Sequence, residues 1–339
     1  MRTHRIVRNA KFAILAGALA IGACDTPHGA PVRVIIPRGA SFRAAADSMA
    51  AEGIIQSAFA FRIYARVRGR DRQIQAGTYL LRRGARWSDV VRAMNGGVGI
   101  INRVTIPEGF TIAQITPLLV RSLHTTSDSV DVAVRDSRLR SRLADPAATL
   151  EGYLFPDTYI FAIGTTARQA VTEMVKRFER EWKPQYDAQA AALGHSRHEI
   201  VTMASIVEKE ARLPEERPVI AAVYYNRLKD GMPLQADPTV QFALGRHTDR
   251  VLYRDLAIDS PYNTYLHTGL PPGPIASPGG ASLRAALAPA NVPFLYFVAA
   301  LDGHHEFRAT IAEHERAKRA VRAGGHADSA SKVRKSRAG

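Results

Sequence analysis

The chain has 339 residues, enough for two domains that each bury a core of their own. Its 46 Lys and Arg residues exceed its 31 Asp and Glu residues, and the net charge of +15 suits an anionic partner such as a membrane surface or an acidic polymer. No zinc-finger spacing or aromatic RNA-binding motif accompanies the basic residues, which argues against nucleic acid, and the single cysteine excludes an intrachain disulfide.

The N-terminus has the pattern of an export signal. Four basic residues precede an apolar run at residues 12–23, which is too short for a membrane-spanning helix of about 20 residues. Cys24 follows the run directly, and this arrangement resembles a bacterial lipobox, in which cleavage leaves a lipidated cysteine. The alternative is a short uncleaved membrane anchor. Residues 1–24 are therefore predicted to be a signal or anchor, and the rest of the chain to be exported.

A short unit of strand, turn and helix then occurs three times. The predicted strands are residues 32–36, 77–81 and 104–106, and the predicted helices are residues 42–49, 87–94 and 112–120. Each turn between them contains a glycine, the residue that most readily adopts a positive φ. The repeat predicts a small α+β module over residues 32–105, similar in pattern to LysM modules that bind N-acetylated sugar chains. The alternative is a spacer that positions the rest of the protein.

Residues 106–320 predict a larger, mixed α/β domain with a loop-rich groove, so that the fold class of the whole chain is α+β. An aromatic loop at residues 150–159 carries two acids, and helices are predicted at residues 166–182 and 215–229. Residues 261–280 contain five prolines and four glycines, which exclude a regular helix or central strand. This segment suits the wall of a sugar groove or an ordinary connection. Residues 321–339 form a basic tail that we predict to be disordered.

A possible metal site at the histidine pair is not expected. His304 and His305 lie between Asp302 and Glu306, but adjacent side chains on a strand or turn point apart. The sequence offers no third ligand at a zinc-binding spacing. We therefore predict no metal and no cofactor.

A helix predicted at residues 196–213 carries the most informative carboxylates. Ser196 and Glu199 have the spacing of a capping box at its start, and Pro214 ends it. With about 100° between successive residues, Glu210 lies about 60° from the centre of an apolar stripe near Val207, while Glu208 lies about 100° away. Glu210 is thus predicted to be the more desolvated of the two.

Burial raises the pKa of a carboxyl group and lets it act as a general acid near neutral pH. The alternative for Glu210 is an ordinary ion pair at the edge of the core, with Arg212 or Arg217 as the partner.

Five motifs in order resemble those of the YceG-like family of endolytic murein transglycosylases. The resemblance runs from residue 32 to about residue 320. The motifs are LEGYLFPDTY (150–159), MASIVEKEA (203–211), LQADPTV (234–240), YNTYLHTGLPPGPIA (262–276) and residues 293–307.

The resemblance implies an enzyme, a lyase that cleaves the β-1,4 bond between N-acetylmuramic acid and N-acetylglucosamine within nascent peptidoglycan strands. The family's catalytic glutamate is the second Glu of the E-K-E triplet, which is Glu210 here, with Glu208 as the alternative. The acid protonates the leaving oxygen, and the muramyl C6 hydroxyl attacks to leave a 1,6-anhydro end, which would terminate strand elongation.

The matching motifs also suggest residues that hold the sugar. Candidates for the groove are Gln235, Asp237, Asn263 and Tyr265. Glu151 and Asp157 are candidates for supporting positions behind them.

The implied partners are glycan strands, the polymerases that make them, and the inner membrane through the N-terminal anchor, with the catalytic domain in the periplasm. Family members usually carry one transmembrane helix, so the short apolar run ending at Cys24 is a departure that leaves the anchor type open. The alternatives to a transglycosylase are a non-catalytic peptidoglycan-binding scaffold, an envelope protein that organises anionic lipid or polymer, and a hydrolytic muramidase.

Overall fold

The computed structural model describes residues 28–71, 74–96, 100–143, 146–162, 164–245, 251–300, 302–321 and 323. The predicted signal or anchor, including Cys24, and residues 324–339 of the predicted tail lie outside this part of the chain. Within the described residues, no helix is both long and apolar enough to span a bilayer.

The described residues form an α+β fold, and the fold class predicted from the sequence is confirmed. The helices are α1 (Phe42–Ala51), α2 (Ala58–Val67), α3 (Trp87–Gly96), α4 (Ile112–Leu123), α5 (Ser127–Val134), α6 (Ser137–Leu143), α7 (Ala167–Glu181), α8 (Pro184–Ala192), α9 (Arg197–Glu210), α10 (Arg217–Lys229), α11 (Asp237–Ala243) and α12 (Gly280–Leu287). The strands are β1 (His28–Ile36), β2 (Gly77–Arg83), β3 (Ile100–Ile106), β4 (Asp157–Ala162), β5 (Tyr296–Ala299) and β6 (His305–Arg308). Residues 311–321 are also helical.

The chain divides into two compact units. Unit 1 comprises residues 1–104 and 159–165, and its described part is built on a sheet with the strand order β1-β2-β3-β4. Strand β2 pairs antiparallel with both β1 and β3. Helices α1, α2 and α3 contribute Met49, Phe61 and Met94 to a core that also contains Tyr79 of β2, and all four side chains are fully buried. The likeness to LysM modules and the domain bounds given above remain predictions.

Several elements were not predicted, among them α2 and β4. Helix α2 has apolar residues on opposite sides, with Phe61 buried and Phe59 exposed, so its sequence shows no clean helical stripe. Strand β4 begins at Asp157, within the last three residues of what was predicted to be an aromatic loop. Its buried residues alternate at Tyr159 and Phe161, which is the period of a strand with one face covered.

Unit 2 comprises residues 105–158 and 166–339, and α9 lies at its centre. The predicted capping box is present: the Ser196 side chain accepts from the Glu199 N–H, and the Glu199 carboxylate accepts from the Ser196 N–H. The predicted restriction of burial to one apolar stripe is wrong, because every residue from Ile200 to Val207 is buried. Helices α8, α10, α11 and α12 contact α9, which is therefore enclosed instead of half-exposed.

Gly152, which follows Glu151 in the aromatic loop, has almost no space for a side chain. Its φ is +86°, and a Cβ there would lie 2.4 Å from the Cβ of Pro274. Only glycine therefore allows the aromatic loop and the proline-rich loop to pack this closely.

We expect Gly152→Ala to destabilise unit 2 more than Gly194→Ala. Gly194 has a similar φ of +76°, but nothing lies within 4 Å of its added Cβ. Both variants incur about 1–2 kcal/mol of left-handed backbone strain. Gly152→Ala adds a steric overlap with Pro274 that costs about 1–3 kcal/mol more. Denaturant unfolding of the two variants measures the difference, and equal losses would contradict the proposed close packing.

Candidate active site

Glu210 is the last residue of α9, where the helix emerges from its enclosure. Its side chain is partly exposed, and its Oε1 accepts a hydrogen bond of 2.9 Å from the Tyr224 hydroxyl. Burial of the carboxyl group raises the pKa of Glu210 to about 7, and the charge of Asp237 acts in the same direction. The Tyr224 hydrogen bond and the Arg227 charge act to lower it. A carboxyl group with this pKa is half protonated at neutral pH.

Tyr224 and Arg227 were missed by the sequence analysis, although α10 carries a signal for both. Tyr224 and Arg227 lie on the same face of α10 as Ile220 and Val223, the face that packs into the core. An arginine at a core position is rare unless it is paired. Arg227 is buried and donates to the carbonyl oxygens of Leu234 and Leu295 at 2.7 Å each. The buried cation is therefore satisfied by backbone oxygens, beneath the carboxyl group of Glu210.

Three of the predicted groove residues lie around this cluster. Asp237 begins α11, is exposed, and accepts a hydrogen bond from the hydroxyl of Tyr265. The negative charge of Asp237 raises the pKa of Glu210. Burial is the main cause of the raised pKa of Tyr265, and the charges of Asp237 and Glu210 raise it further. Gln235 is exposed, and its Oε1 lies 3.5 Å from the Arg227 guanidinium. Gln235 adopts a φ of +54°, a strained conformation for a residue with a side chain.

Asn263, predicted to hold the sugar, lies in the interior of unit 2. Its side chain is fully buried, and its amide nitrogen donates to the carbonyl oxygens of Leu256 and Ile258 at 2.9 Å each. Its Oδ1 accepts from the Tyr265 N–H at 3.0 Å. Asn263 therefore holds the loop that presents Tyr265, and it has no surface to offer a substrate.

Glu208 has a structural role, because its carboxylate bonds to the segments that pack around α9. Its side chain is 7% exposed, and Oε2 accepts from the Gly279 N–H at 3.0 Å and from the Ser282 hydroxyl at 2.7 Å. Arg217 lies 3.6 Å from Oε1. Glu208 is thus the carboxylate that forms an ordinary ion pair at the edge of the core, and Arg217 is its partner.

The proline-rich loop is bonded to α9 along its length. His198 Nε2 bonds to the Pro272 carbonyl oxygen at 2.8 Å, and the Ser205 hydroxyl accepts from the Ile275 N–H at 3.0 Å. With the bond from the Gly279 N–H to Glu208, three contacts over nearly three turns of the helix hold this loop in place. Residues 271–279 are mostly buried, whereas residues 266–268 are exposed and free to form a groove wall.

Glu151 and Asp157 lie away from the Glu210 cluster. Both carboxylate oxygens of Glu151 accept from the Ile112 N–H at the start of α4, at 3.0 and 3.1 Å. Burial raises the pKa of Glu151 to about 7. Asp157 is exposed and bonds to the Arg177 guanidinium at 2.7 Å. Both side chains hold helices of unit 2, and no described contact joins either to Glu210.

His305, the second histidine of the pair, packs behind the ring of Tyr224 through Phe297. His305 is buried, and its backbone N–H and Nδ1 bond to the Glu216 carboxylate at 2.6 and 2.7 Å. Phe297 packs edge-on against both His305 and Tyr224, with ring centroids 5.2 and 5.9 Å away. This chain of contacts fixes the ring whose hydroxyl reaches Glu210.

A cavity of about 770 Å³ opens in unit 2. Its lining includes Lys209 and Pro238, the chain neighbours of Glu210 and Asp237, together with Phe242, Gln114 and Glu151, but neither Glu210 nor Asp237. Its size suits one or two sugar rings or a short peptide. The Glu210 cluster itself offers a partly exposed carboxyl group with a raised pKa beside the polar side chains of Gln235, Asp237 and Tyr265.

Comparisons with known proteins show which family this chain belongs to. The model of the YceG-like family matches residues 34–320. The chain is 37% identical over 302 residues to the endolytic murein transglycosylase of Bacillus subtilis (strain 168), covering 85% of this chain and 84% of the relative. It is 30% identical over 299 residues to that of Streptococcus pneumoniae serotype 2 (strain D39 / NCTC 7466), covering 79% of this chain and 54% of the relative.

A solved structure points the same way. The crystal structure of a yceG-like protein from Listeria monocytogenes is 34% identical and superposes with a TM-score of 0.62, covering 84% of this chain and 98% of that one. The chain therefore belongs to the YceG-like family, as its motifs indicated.

Proposed function

We propose that this protein is an endolytic murein transglycosylase in which Glu210 is the general acid. Relatives that share most of its length are named for this activity, and the chain is a lytic transglycosylase acting on peptidoglycan. We assign Glu210 as the acid because burial raises the pKa of its carboxyl group to about 7 and the Tyr224 hydroxyl holds that group in place.

The reaction begins with proton transfer. Oε1 of Glu210 accepts from Tyr224, so Oε2 is the oxygen that carries the acidic proton. That proton passes to the glycosidic oxygen as the bond from the muramyl C1 breaks, and N-acetylglucosamine leaves with a free 4-hydroxyl. The positive charge develops at C1 and the ring oxygen, near the anions of Glu210 and Asp237.

The muramyl C6 hydroxyl then attacks C1. Its proton returns to the Glu210 carboxylate, and a 1,6-anhydro ring forms without consuming water. Intramolecular attack has the high effective concentration of a held nucleophile, so no second carboxylate is needed to activate water. This distinguishes the reaction from hydrolysis, which usually uses two carboxylates.

The groove that holds the strand is proposed to include Gln235, Asp237 and Tyr265. These three are partly or fully exposed and surround Glu210, and the exposed residues 266–268 continue the same loop. We further propose that the enzyme acts on nascent strands at the outer face of the inner membrane, beside the polymerases, and that cleavage ends strand elongation. The N-terminal residues would supply the anchor, with Cys24 as the lipidation site if the segment is a lipobox.

Replacement of Glu210 by Gln should abolish cleavage while leaving the fold intact. The variant keeps the shape and the Tyr224 contact but lacks the transferable proton, and a general acid contributes about 10²–10⁴-fold to rate. The measurement is mass spectrometry of products from uncrosslinked glycan strands, in which the anhydro end weighs one water less than a reducing end. Glu208→Gln is the matched control and should retain turnover in its folded fraction. Full activity in Glu210→Gln with loss in Glu208→Gln would overturn the assignment.

The plot of kcat/KM against pH should show a falling limb near pH 7. Glu210 must be protonated to act, so kcat/KM declines as the pH rises through its pKa of about 7. Tyr224→Phe removes a hydrogen bond that favours the carboxylate, so the limb should move up by about one pH unit. Tyr225→Phe is the control, because the Tyr225 hydroxyl donates to the Ala286 carbonyl oxygen instead. An unmoved limb in Tyr224→Phe would contradict the role of this contact.

Asp237→Asn should move the same limb in the opposite direction. The negative charge of Asp237 raises the pKa of Glu210, and its removal favours the carboxylate at lower pH. The pH profile of kcat/KM, fitted for the acidic group, gives the shift. A limb displaced upwards, or shifts of the same sign in Tyr224→Phe and Asp237→Asn, would show that the two residues do not act on Glu210 as described.

A further inference from the structure

Helix α2 of unit 1 carries apolar side chains on two opposite faces. Phe61 and Ala65 are fully buried in the core, whereas Phe59, Ile63 and Val67 are 67%, 50% and 75% exposed. The three exposed residues are four positions apart and so lie along one face, about 180° from Phe61 and Ala65. A contiguous exposed stripe of this kind marks an interaction surface more often than a single exposed apolar residue does. We call Phe59, Ile63 and Val67 the α2 stripe.

A basic cavity lies beside the stripe. It has a volume of about 620 Å³, and Tyr64 of α2 forms part of its wall. Three exposed arginines line it, Arg68, Arg70 and Arg92. The Arg68 guanidinium lies 4.7 Å from the centre of the Tyr64 ring, and the Asn95 amide donates to the Arg70 carbonyl oxygen at 2.9 Å. The arginines are thus gathered around one opening instead of being spread over the surface.

The whole segment around these features is basic. Residues 28–104 contain thirteen arginines, no lysine and four acidic residues. Arginine presents a planar fork of donors that suits phosphate oxygens. The excess of positive charge would repel a second copy of the same surface. Arg92 already pairs with Asp89 at 3.3 Å, and neutral sugar rings would offer no anion to Arg68 and Arg70.

We propose that the α2 stripe and the arginine-lined cavity dock unit 1 on the surface of an anionic phospholipid bilayer. The stripe would enter the boundary between headgroups and acyl chains, and the cavity would take a lipid phosphate. The position in the chain supports this occupant, because β1 begins at His28 and the predicted anchor ends at Cys24. Residues 25–27 span at most about 10 Å, so an anchored chain holds unit 1 close to the membrane.

This docking surface does not depend on the chemistry proposed for Glu210, and its test uses no catalytic readout. The full chain is reconstituted in vesicles of phosphatidylglycerol whose acyl chains are brominated, and tryptophan is introduced by Phe59→Trp or, as the control, by Val132→Trp. Val132 lies on α5 of unit 2 and is 65% exposed. A side chain at the headgroup boundary lies within reach of the bromines, so quenching should be at least about twofold greater for Phe59→Trp.

The arginines are tested in the Phe59→Trp chain. Combined Arg68→Gln, Arg70→Gln and Arg92→Gln should remove the additional quenching and the difference between phosphatidylglycerol and phosphatidylcholine vesicles. The control combines Arg121→Gln, Arg138→Gln and Arg319→Gln, three exposed arginines of unit 2, and removes the same charge.

Equal quenching in Phe59→Trp and Val132→Trp overturns the proposal. Unchanged quenching in the cavity variant overturns the role assigned to the arginines. A shift of Phe59→Trp emission with purified glycan strands and none with vesicles would assign the surface to glycan instead.

Discussion

Enclosure of α9 is the constraint on which the site depends. The helix is buried from Ile200 to Val207, and the proline-rich loop is bonded to it at three levels. A helix held on every side cannot rotate or slide without breaking many contacts at once. Glu210, the last residue of the helix, is therefore presented at a fixed position, and the enclosure supplies the desolvation that raises its pKa.

The proton affinity of Glu210 results from opposing interactions that come from separate segments. Burial and the Asp237 charge favour the neutral acid, while the Tyr224 hydrogen bond and the Arg227 charge favour the carboxylate. Tyr224 and Arg227 lie on α10 and Asp237 begins α11. Because a general acid works best when its pKa is near the working pH, this balance matters more than any single contact.

Glu208 and Glu210 show how two adjacent carboxylates of one helix acquire different roles. Residues two positions apart on a helix point about 200° apart, so the two side chains meet different surroundings. Glu208 faces the start of α12 and is saturated by Gly279, Ser282 and Arg217. Glu210 faces α10 and the open edge, with one hydrogen bond to a neutral hydroxyl. Glu208 holds the proline-rich loop, whereas Glu210 has a raised pKa and can therefore carry a proton near neutral pH.

The sequence by itself determined the α+β class, the start of α9 through its capping box and the family through five ordered motifs, and it singled out Glu210 as the acid that we propose. These are properties of local pattern and spacing, which the linear chain carries directly. The tertiary structure alone decided that α9 is buried on every side from Ile200 to Val207, that Asn263 is buried while Tyr265 is presented, and that Tyr224 and Arg227 lie beside Glu210. Hydrogen-bond partners and the depth of burial depend on residues distant in sequence, and packing brings these together only when the chain folds.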